Sequence, residues 1–370
     1  MPSSYSSQPN YAEIWSPKLL EIKIQESLTS PFIVPNVKWL GARTFHFTQM
    51  AVSGFKTHLR DGSGFNKGRW VQNDVPYTVM HTRDISFFVD KADVDETNYL
   101  ASAENIAMIF QKTQAVPELD ALFFERVAQA AINGVWHSGS QAAEPIENLY
   151  STTKVSAYTN NAVSKIKSYI SKIKKYRPSL ICYVSSAIMD KLETSTELQR
   201  KIEMVTIPEG GIGIETRYTS IDGVPILECW EDERFYSAFN YNPADGGFEP
   251  QKDTYAKTTD ETIVDGKTYY TESGGVYTAV DEPSSEGLAT YYEKVTSAGV
   301  KLNVVLASLE TVITVPKINS IYFFPPGTHL HGDGYVFATR EDWDTFVFPN
   351  GKNNKIDSVY VDLQQAETAE

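Results

Sequence analysis

The chain has 370 residues, of which 41% are hydrophobic and 22% are charged. A chain of this length and composition buries enough apolar surface to fold without disulfides, which excludes wholesale disorder, collagen and small disulfide-stabilised folds. Its 33 lysines and arginines stand against 47 aspartates and glutamates, so the net charge is -14. A surface of that sign repels phosphate backbones, so we do not expect the chain as a whole to bind DNA.

Neither a membrane span nor a secretory signal is expected. The sequence has no run of about 18 apolar residues, and its first residues, Met1–Pro9, lack the apolar centre of a signal peptide. Cys182 and Cys229 lie far apart in apolar runs, which favours buried thiols in a reducing compartment over a disulfide. These features predict a protein made in the cytosol and used there or exported by another route.

The N-terminal quarter predicts a mobile tail, an extended arm and a long hairpin. Residues 1–10 are rich in Ser, Pro and Gln and predict the tail, and 11–35 predict the arm with a short helix inside it. Apolar and polar residues then alternate over 37–59 and again over 75–89, which predicts two strands. The segment Arg60–Trp70 between them holds three glycines and predicts the tip of a hairpin with unusually long arms.

Helices are predicted next. Two of them cover 98–113 and 118–133, and Phe123 and Val127 belong to the apolar stripe of the second. A further helix over 160–173 carries lysines on its polar face, at Lys165, Lys167, Lys172, Lys174 and Lys175. A solvated polar face explains these lysines better than nucleic-acid binding does.

The middle of the chain predicts a small α/β region and then an insertion. A buried strand over 179–184, a helix over 185–194 and a hairpin around Asp222–Gly223 are expected. The segment 251–294 holds six of the 21 tyrosines, nine acidic residues and four lysines, and we predict an acidic, exposed, β-rich insertion there. From residue 300 onwards apolar strands are predicted at 302–306, 311–315, 320–324, 334–338, 345–348 and 356–362.

No catalytic, cofactor-binding or metal-binding residues are predicted. The glycines at Gly62–Gly64 and Gly210–Gly213 lack the strand–helix context and the lysine of a phosphate loop. His329, His331 and Asp333 are residue types that bind metals, but they lie in a Pro/Gly loop, and a solvated turn explains them better. The sequence has no Gly-X-Ser-X-Gly nucleophile motif. We therefore expect a protein without enzymatic activity.

The long hairpin and the N-terminal arm predict a protein that assembles. A two-stranded ribbon is marginally stable in water, and neither segment has a second layer of its own to cover its apolar side chains. Neighbouring subunits would provide that layer. The candidate inter-subunit contact residues are Trp15 in the arm and, around the hairpin tip, Arg60, Asp61, Phe65, Lys67, Arg69 and Trp70.

An ordered series of segments resembles the major capsid proteins of tailed phages of Gram-positive bacteria. The segments are GFKTHLRDG (54–62), HTRDISFFVDKADVDET (81–97), NIAMIFQKTQAVPELD (105–120), IDGVPIL (221–227), TREDWDTFVF (339–348) and NKIDSVYV (354–361). Together they cover most of the chain outside 250–295. The order of the segments carries the resemblance, since no single one of them is a sharp motif.

The resemblance implies an α+β fold, the Hong Kong ninety-seven phage-type capsid fold. Its parts would be an N-terminal arm (1–38), a β-hairpin extension loop (39–92), a peripheral domain with a long spine helix (93–154 and 296–370), an axial domain (155–250) and a β-rich surface insertion (251–295). The arm and the hairpin inferred from the residues themselves agree with the first two parts.

The resemblance also implies a function. The chain would be a structural virion protein that self-assembles into pentamers and hexamers, forming an icosahedral head around phage DNA that is held without sequence specificity. Its expected partners are copies of itself, a separate scaffolding protein and a portal protein, with no membrane and no cofactor. Assembly would take place in the cytoplasm of the bacterial host.

Two features of the family and one alternative stay open. A separate scaffolding protein is expected because only a short polar tail precedes the arm. The Lys–Asn cross-links known in the family would involve Lys67 and one of the asparagines at Asn350, Asn353 or Asn354, but turn positions explain these residues better. The alternative function is a carbohydrate- or host-surface-binding virion protein, suggested by the tyrosines of 251–294.

Overall fold

The computed structural model describes residues 21–22, 24–34, 37, 39, 41, 43–57, 67–92, 103–135, 143–195, 203–204, 217–244, 246–259, 263–264, 267–280, 283, 290–324, 333–350 and 353–366. Within these residues the chain is mixed α+β, as predicted. The predicted tail lies outside the described residues, and the arm is helical at 21–22 and 24–26, after Pro17 as predicted.

Eighteen strands and four α-helices are described. The strands are β1 (Thr44–Val52), β2 (Trp70–Thr78), β3 (His81–Asp90), β4 (Tyr150–Thr153), β5 (Leu180–Ser185), β6 (Glu203–Met204), β7 (Arg217–Ile221), β8 (Val224–Cys229), β9 (Phe239–Asn240), β10 (Glu249–Pro250), β11 (Thr254–Lys257), β12 (Tyr269–Ser273), β13 (Val276–Val280), β14 (Tyr292–Thr296), β15 (Leu302–Ser308), β16 (Val312–Phe324), β17 (Gly334–Val347) and β18 (Val359–Gln364). The helices are α1 (Ala103–Phe110), α2 (Val116–Asn133), α3 (Ala162–Lys172) and α4 (Ser186–Thr194).

A seven-stranded sheet, the central sheet, holds most of the hydrophobic core. Its strand order is β4-β18-β15-β5-β8-β7-β6, with β4 parallel to β18 and β5 parallel to β8. Every residue of β5 and β15 is buried. Their sequences are almost continuously apolar, as expected of strands that are covered on both faces.

Cross-strand rows of side chains identify the helices on the two faces of the central sheet. Leu306 and Tyr360 are paired, and the Tyr360 ring stacks on Tyr169 of α3 with centroids 4.6 Å apart. The neighbouring row contains Tyr183, whose ring meets Phe124 of α2 at 5.2 Å. Because successive strand residues point to opposite faces, α2 covers one face and α3 covers the other.

One long helix runs from 103 to 133 where two helices were predicted. It consists of α1, a π-helical segment (Gln111–Ala115) and α2. Pro117 does not break it, because this proline lies in the first turn of α2, where the hydrogen-bond pattern changes and a missing N–H costs little. The helix ends at Gly134, whose φ of 80° is accessible to glycine at little cost.

A three-stranded sheet, the long-strand sheet, is ordered β16-β17-β3. The four short strands predicted between 311 and 348 are two long ones, of 13 and 14 residues. The sequence suggested a break at Arg340–Asp344 because charged residues interrupt the apolar pattern there. In the structure the carboxylates of Glu341, Asp342 and Asp344 are buried beside partners, so the strand continues.

The predicted second arm of the hairpin, 75–89, is divided between two sheets. β2 pairs with β1 to form a ribbon, whereas β3 pairs with β17 at all ten of its positions. The two strands are separated only by Val79 and Met80, and their alternating pattern says nothing about the partner of each. The predicted extension loop, 39–92, therefore includes one strand of the long-strand sheet.

The C-terminal strands are divided between two sheets. β15 and β18 pair with each other, and β15 also pairs with β5 in the central sheet. Of these strands, β16 and β17 belong to the long-strand sheet. Burial of β15 on both faces explains the division, because the central sheet offers it helices on each side.

Residues 254–296 form a separate four-stranded antiparallel sheet, the insertion sheet, ordered β11-β14-β12-β13. The ring of Tyr255 on one edge strand stacks on Tyr277 of the opposite edge strand, with centroids 4.1 Å apart. Tyr255 also meets Tyr270 at 4.9 Å, and Tyr277 meets Tyr292 at 5.1 Å. The sheet is therefore curled around its own tyrosines, which supply most of its packing.

Candidate functional site

Strands β1 and β2 form a two-stranded antiparallel ribbon. Nine residue pairs join the two strands, from Thr44–Thr78 at one end to Val52–Trp70 at the other. The pairing continues for one more step, because the Ser53 N–H donates to the Arg69 carbonyl at 2.8 Å and the Arg69 N–H donates to Ser53 Oγ at 2.8 Å. Nine paired residues make a ribbon about 30 Å long.

The root of the ribbon is buried against its own subunit. The rings of Phe45 and Tyr77 stack at 5.7 Å, and both meet Phe346 edge-on at 5.1 and 5.6 Å. Tyr77 also meets Phe348 at 5.0 Å, and burial raises the pKa of its hydroxyl well above the usual range. Val75 completes this cluster. The root therefore fixes the direction in which the ribbon leaves the subunit.

The far end of the ribbon exposes large apolar side chains. Val52 is 80% exposed, Trp70 is 66% exposed and Phe55 is fully exposed. Val52 and Trp70 form the last residue pair of the ribbon and Phe55 follows three residues after Val52, and the residues around them in 53–57 and 67–69 are exposed as well. A cluster of apolar side chains of this kind marks an interaction surface rather than ordinary solvated surface.

The predicted contact residues fall partly on this end. Lys67, Arg69 and Trp70 lie there and are exposed. Trp15, Arg60, Asp61 and Phe65 lie outside the described residues. Val52 and Phe55 were not among the predicted contact residues, because inside a predicted strand the sequence does not tell an exposed apolar side chain from a buried one.

Buried ion pairs connect the ribbon root to the long helix. The Asp344 carboxylate of β17 accepts a hydrogen bond from Arg126 Nε of α2 at 3.0 Å and one from the Met80 N–H at 3.1 Å. Arg43, next to the first residue of the ribbon, lies 3.4 Å from the fully buried carboxylate of Asp342. The ribbon, the long-strand sheet and the long helix are therefore linked by charge as well as by apolar packing.

The N-terminal segment 24–34 is attached to the same helix by one carboxylate. Asp120 is fully buried and accepts hydrogen bonds from Ser27 Oγ at 2.6 Å and Thr29 Oγ1 at 2.7 Å. It also accepts the N–H groups of Leu28 and Thr29, both at 3.1 Å, and the guanidinium of Arg234 at 2.8 Å. Five donors on one carboxylate compensate for its burial.

A second charged group of the long helix connects it to the loop 241–247. Glu118 Oε1 lies 2.9 Å from His81 Nε2 and 2.8 Å from Arg83 Nε, both on β3. The Arg83 guanidinium also donates to the carbonyls of Tyr241 and Gly247. One arginine therefore joins a strand, a helix and a loop. One signal for these contacts is present in the sequence, namely the acidic side chains on the apolar stripe of 118–133.

The described residues also bear on metal binding, thiol reactivity and membrane spanning. Among them no group of three or more His, Cys, Asp or Glu side chains is placed to hold a metal ion, and His329 and His331 lie outside them. Burial raises the pKa of the Cys182 and Cys229 thiols above the usual range, which makes both poor nucleophiles. Within the described parts of the chain, no helix has the length and apolar character of a membrane span.

Sequence comparison identifies no relative. No protein-family model matches the chain, and no curated protein matches it in sequence.

Structure comparison does find similar proteins. A chain of the mature capsid of bacteriophage PhiM1 matches with a TM-score of 0.51 at 11% identity, covering 92% of this chain and 88% of that one. The capsid of the cyanophage P-SCSP1u gives 0.49 at 10% identity, covering 92% and 89%. The virus-like particle of Pyrococcus furiosus gives 0.43 at 9% identity, covering 95% and 99%.

The PhiM1 likeness extends over most of both chains and agrees with the α+β architecture described above. At this level of identity it establishes the fold. The chain has the fold of the major capsid proteins of tailed phages, the Hong Kong ninety-seven phage type.

Proposed function

We propose that this chain is the major shell subunit of a tailed phage head. Copies of it would associate into pentamers and hexamers, and these would close into an icosahedral shell around DNA that is bound without sequence specificity. The role is structural and involves no catalysis. The observation that carries the proposal is the ribbon, whose apolar far end, with Val52, Phe55 and Trp70, has no cover within the described subunit.

The ribbon would pack on an adjacent copy of the chain. Its root is fixed by buried rings, so its direction is set before assembly and little freedom is lost when it docks. Its exposed end would then be buried by the neighbour. Isolated ribbons of two strands are marginally stable in water, so burial by a neighbour would also stabilise the strands themselves.

The division into capsid domains follows from the same proposal. The arm would end at residue 38 and the extension loop would comprise the ribbon. The long-strand sheet and the long helix would form the peripheral domain, and the central sheet with α3 and α4 would form the axial domain. Residues 251–295 would be a surface insertion.

Partners and location complete the proposal. We expect a separate scaffolding protein during assembly and a portal protein at one vertex. The shell would be assembled in the cytoplasm of the bacterial host and would then be part of the virion. The capsid fold is the observation that supports both expectations. Among the described residues no site is assigned to either partner.

Electron microscopy of the purified chain tests the shell role. We expect closed particles, or rings with five and six subunits, and a preparation that contains neither under any assembly condition would overturn the proposal. The ribbon is tested by the triple variant Val52→Ser, Phe55→Ser and Trp70→Ser. It should keep the melting temperature of the unassembled subunit and lose particle formation.

A matched control removes apolar surface elsewhere. Val276 and Val295 of the insertion sheet are 65% and 62% exposed, and Val276→Ser with Val295→Ser should assemble as the wild type does. Assembly of the ribbon variant at wild-type yield would show that the ribbon end is not an inter-subunit contact.

A further inference from the structure

One segment of this acidic chain is free of acidic residues. No Asp or Glu occurs between Glu147 and Asp190, although the net charge of the whole chain is -14. The basic residues of this segment concentrate on α3 and on the 3-10 turn that follows it, Lys174–Ser179. We call them the basic surface: Lys165, Lys167, Lys172, Lys174, Lys175 and Arg177.

The structure places this basic surface on the outside of the central sheet. The apolar side of α3, with Val163, Ile166 and Ile170, is buried against the sheet, on the face opposite to α2. All members of the basic surface except the half-buried Lys165 are exposed. From the first lysine to the arginine the surface extends for about 20 Å along the helix and the turn.

Aromatic rings and buried hydrogen bonds position three of the lysines. Lys165 Nζ lies 4.7 Å from the centre of the Tyr158 ring, and Lys172 Nζ lies 4.7 Å from that of Tyr360. Lys175 Nζ lies 4.8 Å from the Tyr176 ring. The rings are themselves fixed, because the Tyr158 hydroxyl donates to the buried Asp362 at 2.6 Å and the Tyr176 hydroxyl donates to Asp357 at 2.7 Å. Pre-positioned ammonium groups lose less entropy on binding an anion than freely moving ones.

Few acidic groups neutralise this surface. Asp222 lies 3.8 Å from Lys167, Asp357 lies 3.7 Å from Lys175, and the exposed Glu310 is close to Tyr176. Both ion pairs involve lysines that are more than half exposed, so they contribute little and exchange easily with another anion. Six cations against three carboxylates leave a local positive excess.

We propose that the basic surface binds the phosphate backbone of double-stranded DNA. Charge complementarity selects this ligand, because a duplex carries one negative charge per about 1.7 Å of its axis and so presents phosphates along the whole surface. The overall negative charge does not prevent binding, since charges more than about 10 Å away are largely screened at 0.1 M salt. Binding would be independent of sequence, because contacts to phosphates do not read the bases.

The inference rests on the proposed function only in its choice of ligand, which is the polymer that the shell would enclose. Duplex binding by unassembled subunits and particle formation are separate measurements, so either proposal can fail without the other.

The test is fluorescence anisotropy of a labelled 20-base-pair duplex with unassembled subunits, from 50 to 200 mM salt. About four phosphate contacts predict a log–log salt slope near −3.6. The variant Lys167→Glu, Lys172→Glu and Lys174→Glu should bind at least about tenfold more weakly at 50 mM salt, with a flatter slope. If this glutamate variant fails to fold, a second variant with glutamine at the same three positions replaces it, and weaker duplex binding is again expected.

The matched control replaces three exposed lysines outside the basic surface by glutamate, namely Lys91, Lys252 and Lys257. It should bind the duplex with an affinity within about twofold of that of the wild type. Equal weakening by both triple variants would show that only the total charge matters and would overturn the proposal. So would the absence of duplex binding by the wild type at 50 mM salt. Binding to vesicles of anionic phospholipid in place of the duplex would assign the surface to a membrane and also overturn it.

Discussion

The guanidinium of Arg234 donates to the fully buried carboxylate of Asp120 at 2.8 Å. Arg234 lies in a short turn between the central sheet and the loop 241–247, and Asp120 lies on the long helix, where it also accepts hydrogen bonds from Ser27 and Thr29. One carboxylate therefore joins three parts of the chain that are distant in sequence. A link of this kind sets the position of the N-terminal segment relative to the helix before any neighbour is present.

Replacing Asp120 by Ala should destabilise the subunit strongly. The change leaves the Arg234 side chain, only 12% exposed, without its main counter-charge and leaves buried donors without an acceptor. Loss of one partner of a buried pair costs about 3–5 kcal/mol. Urea unfolding of unassembled subunits measures this, with Asp190→Ala on the exposed side of α4 as the control. A loss below about 1 kcal/mol would mean that the pair is not a structural link.

Phe123 should be essential to the core around the long helix. It is fully buried, and its ring lies 4.8 Å from Phe32 and 5.4 Å from Phe124. Phe123→Ala should lower the free energy of unfolding by about 3–5 kcal/mol, through lost burial and the cavity that remains. The control is Ile109→Ala on the same helix, where the side chain is 60% exposed and the change should cost less than about 1 kcal/mol. Equal melting temperatures for the two variants would contradict the assigned burial.

The sequence predicted the elements better than their partners. The helix at 162–172 begins and ends within two residues of the prediction, because its apolar period is a local signal. The sheet of β3 could not be predicted, because an alternating strand fits equally well beside β2 or β17. The buried Asp120 was missed for a related reason, since an acidic residue on an apolar stripe shows no partner until the N-terminal segment and Arg234 come close to it.

The stability of the subunit should depend on the protonation of Glu125. Burial raises the pKa of this carboxyl above its usual value, while the hydroxyl of Tyr241, which donates to it at 2.6 Å, and the charge of Arg126 lower the pKa in part. A raised pKa in the folded state means that this state binds the proton more tightly than the unfolded chain. The contribution of Glu125 to stability is therefore greatest below pH about 4.5 and falls as the pH rises through the folded pKa.

Glu125→Gln tests this sign, because glutamine resembles the protonated acid and does not titrate. The melting temperature of the variant minus that of the wild type should increase as the pH is raised from 4 to 7. Glu310→Gln, at an exposed position, serves as the control for general charge effects. A difference between Glu125→Gln and the wild type that stays constant over this range would contradict the raised pKa.

Removing the insertion sheet should leave the rest of the fold intact. The two ends of the insertion lie side by side, because the Gly299 N–H donates to the Gln251 carbonyl at 2.8 Å and Thr254 is paired with Thr296. A short linker can therefore replace residues 254–296 without moving either end.

The packing of the insertion also favours its removal. Its described strands pair only with each other, and among its described hydrophobic residues only Tyr269 is fully buried. No described residue of 254–296 belongs to the core around the central sheet, so the deletion removes none of that core's known side chains. Because the entropy of closing a loop changes only slowly with its length, the exchange itself costs little.

The variant with Gly-Ser-Gly in place of 254–296 should melt within a few degrees of the full chain, as about 1 kcal/mol shifts the midpoint of a domain this large by roughly 2–4 °C. It should also form the same particles by electron microscopy if the insertion lies on the outer surface of the shell, because neighbouring subunits would then meet through other parts of the chain. Antibodies raised against the insertion provide the independent check and should bind intact particles of the full chain. Loss of folding on deletion would show that the insertion is part of the core structure, and failure of the antibodies to bind would place it at an inner or inter-subunit surface.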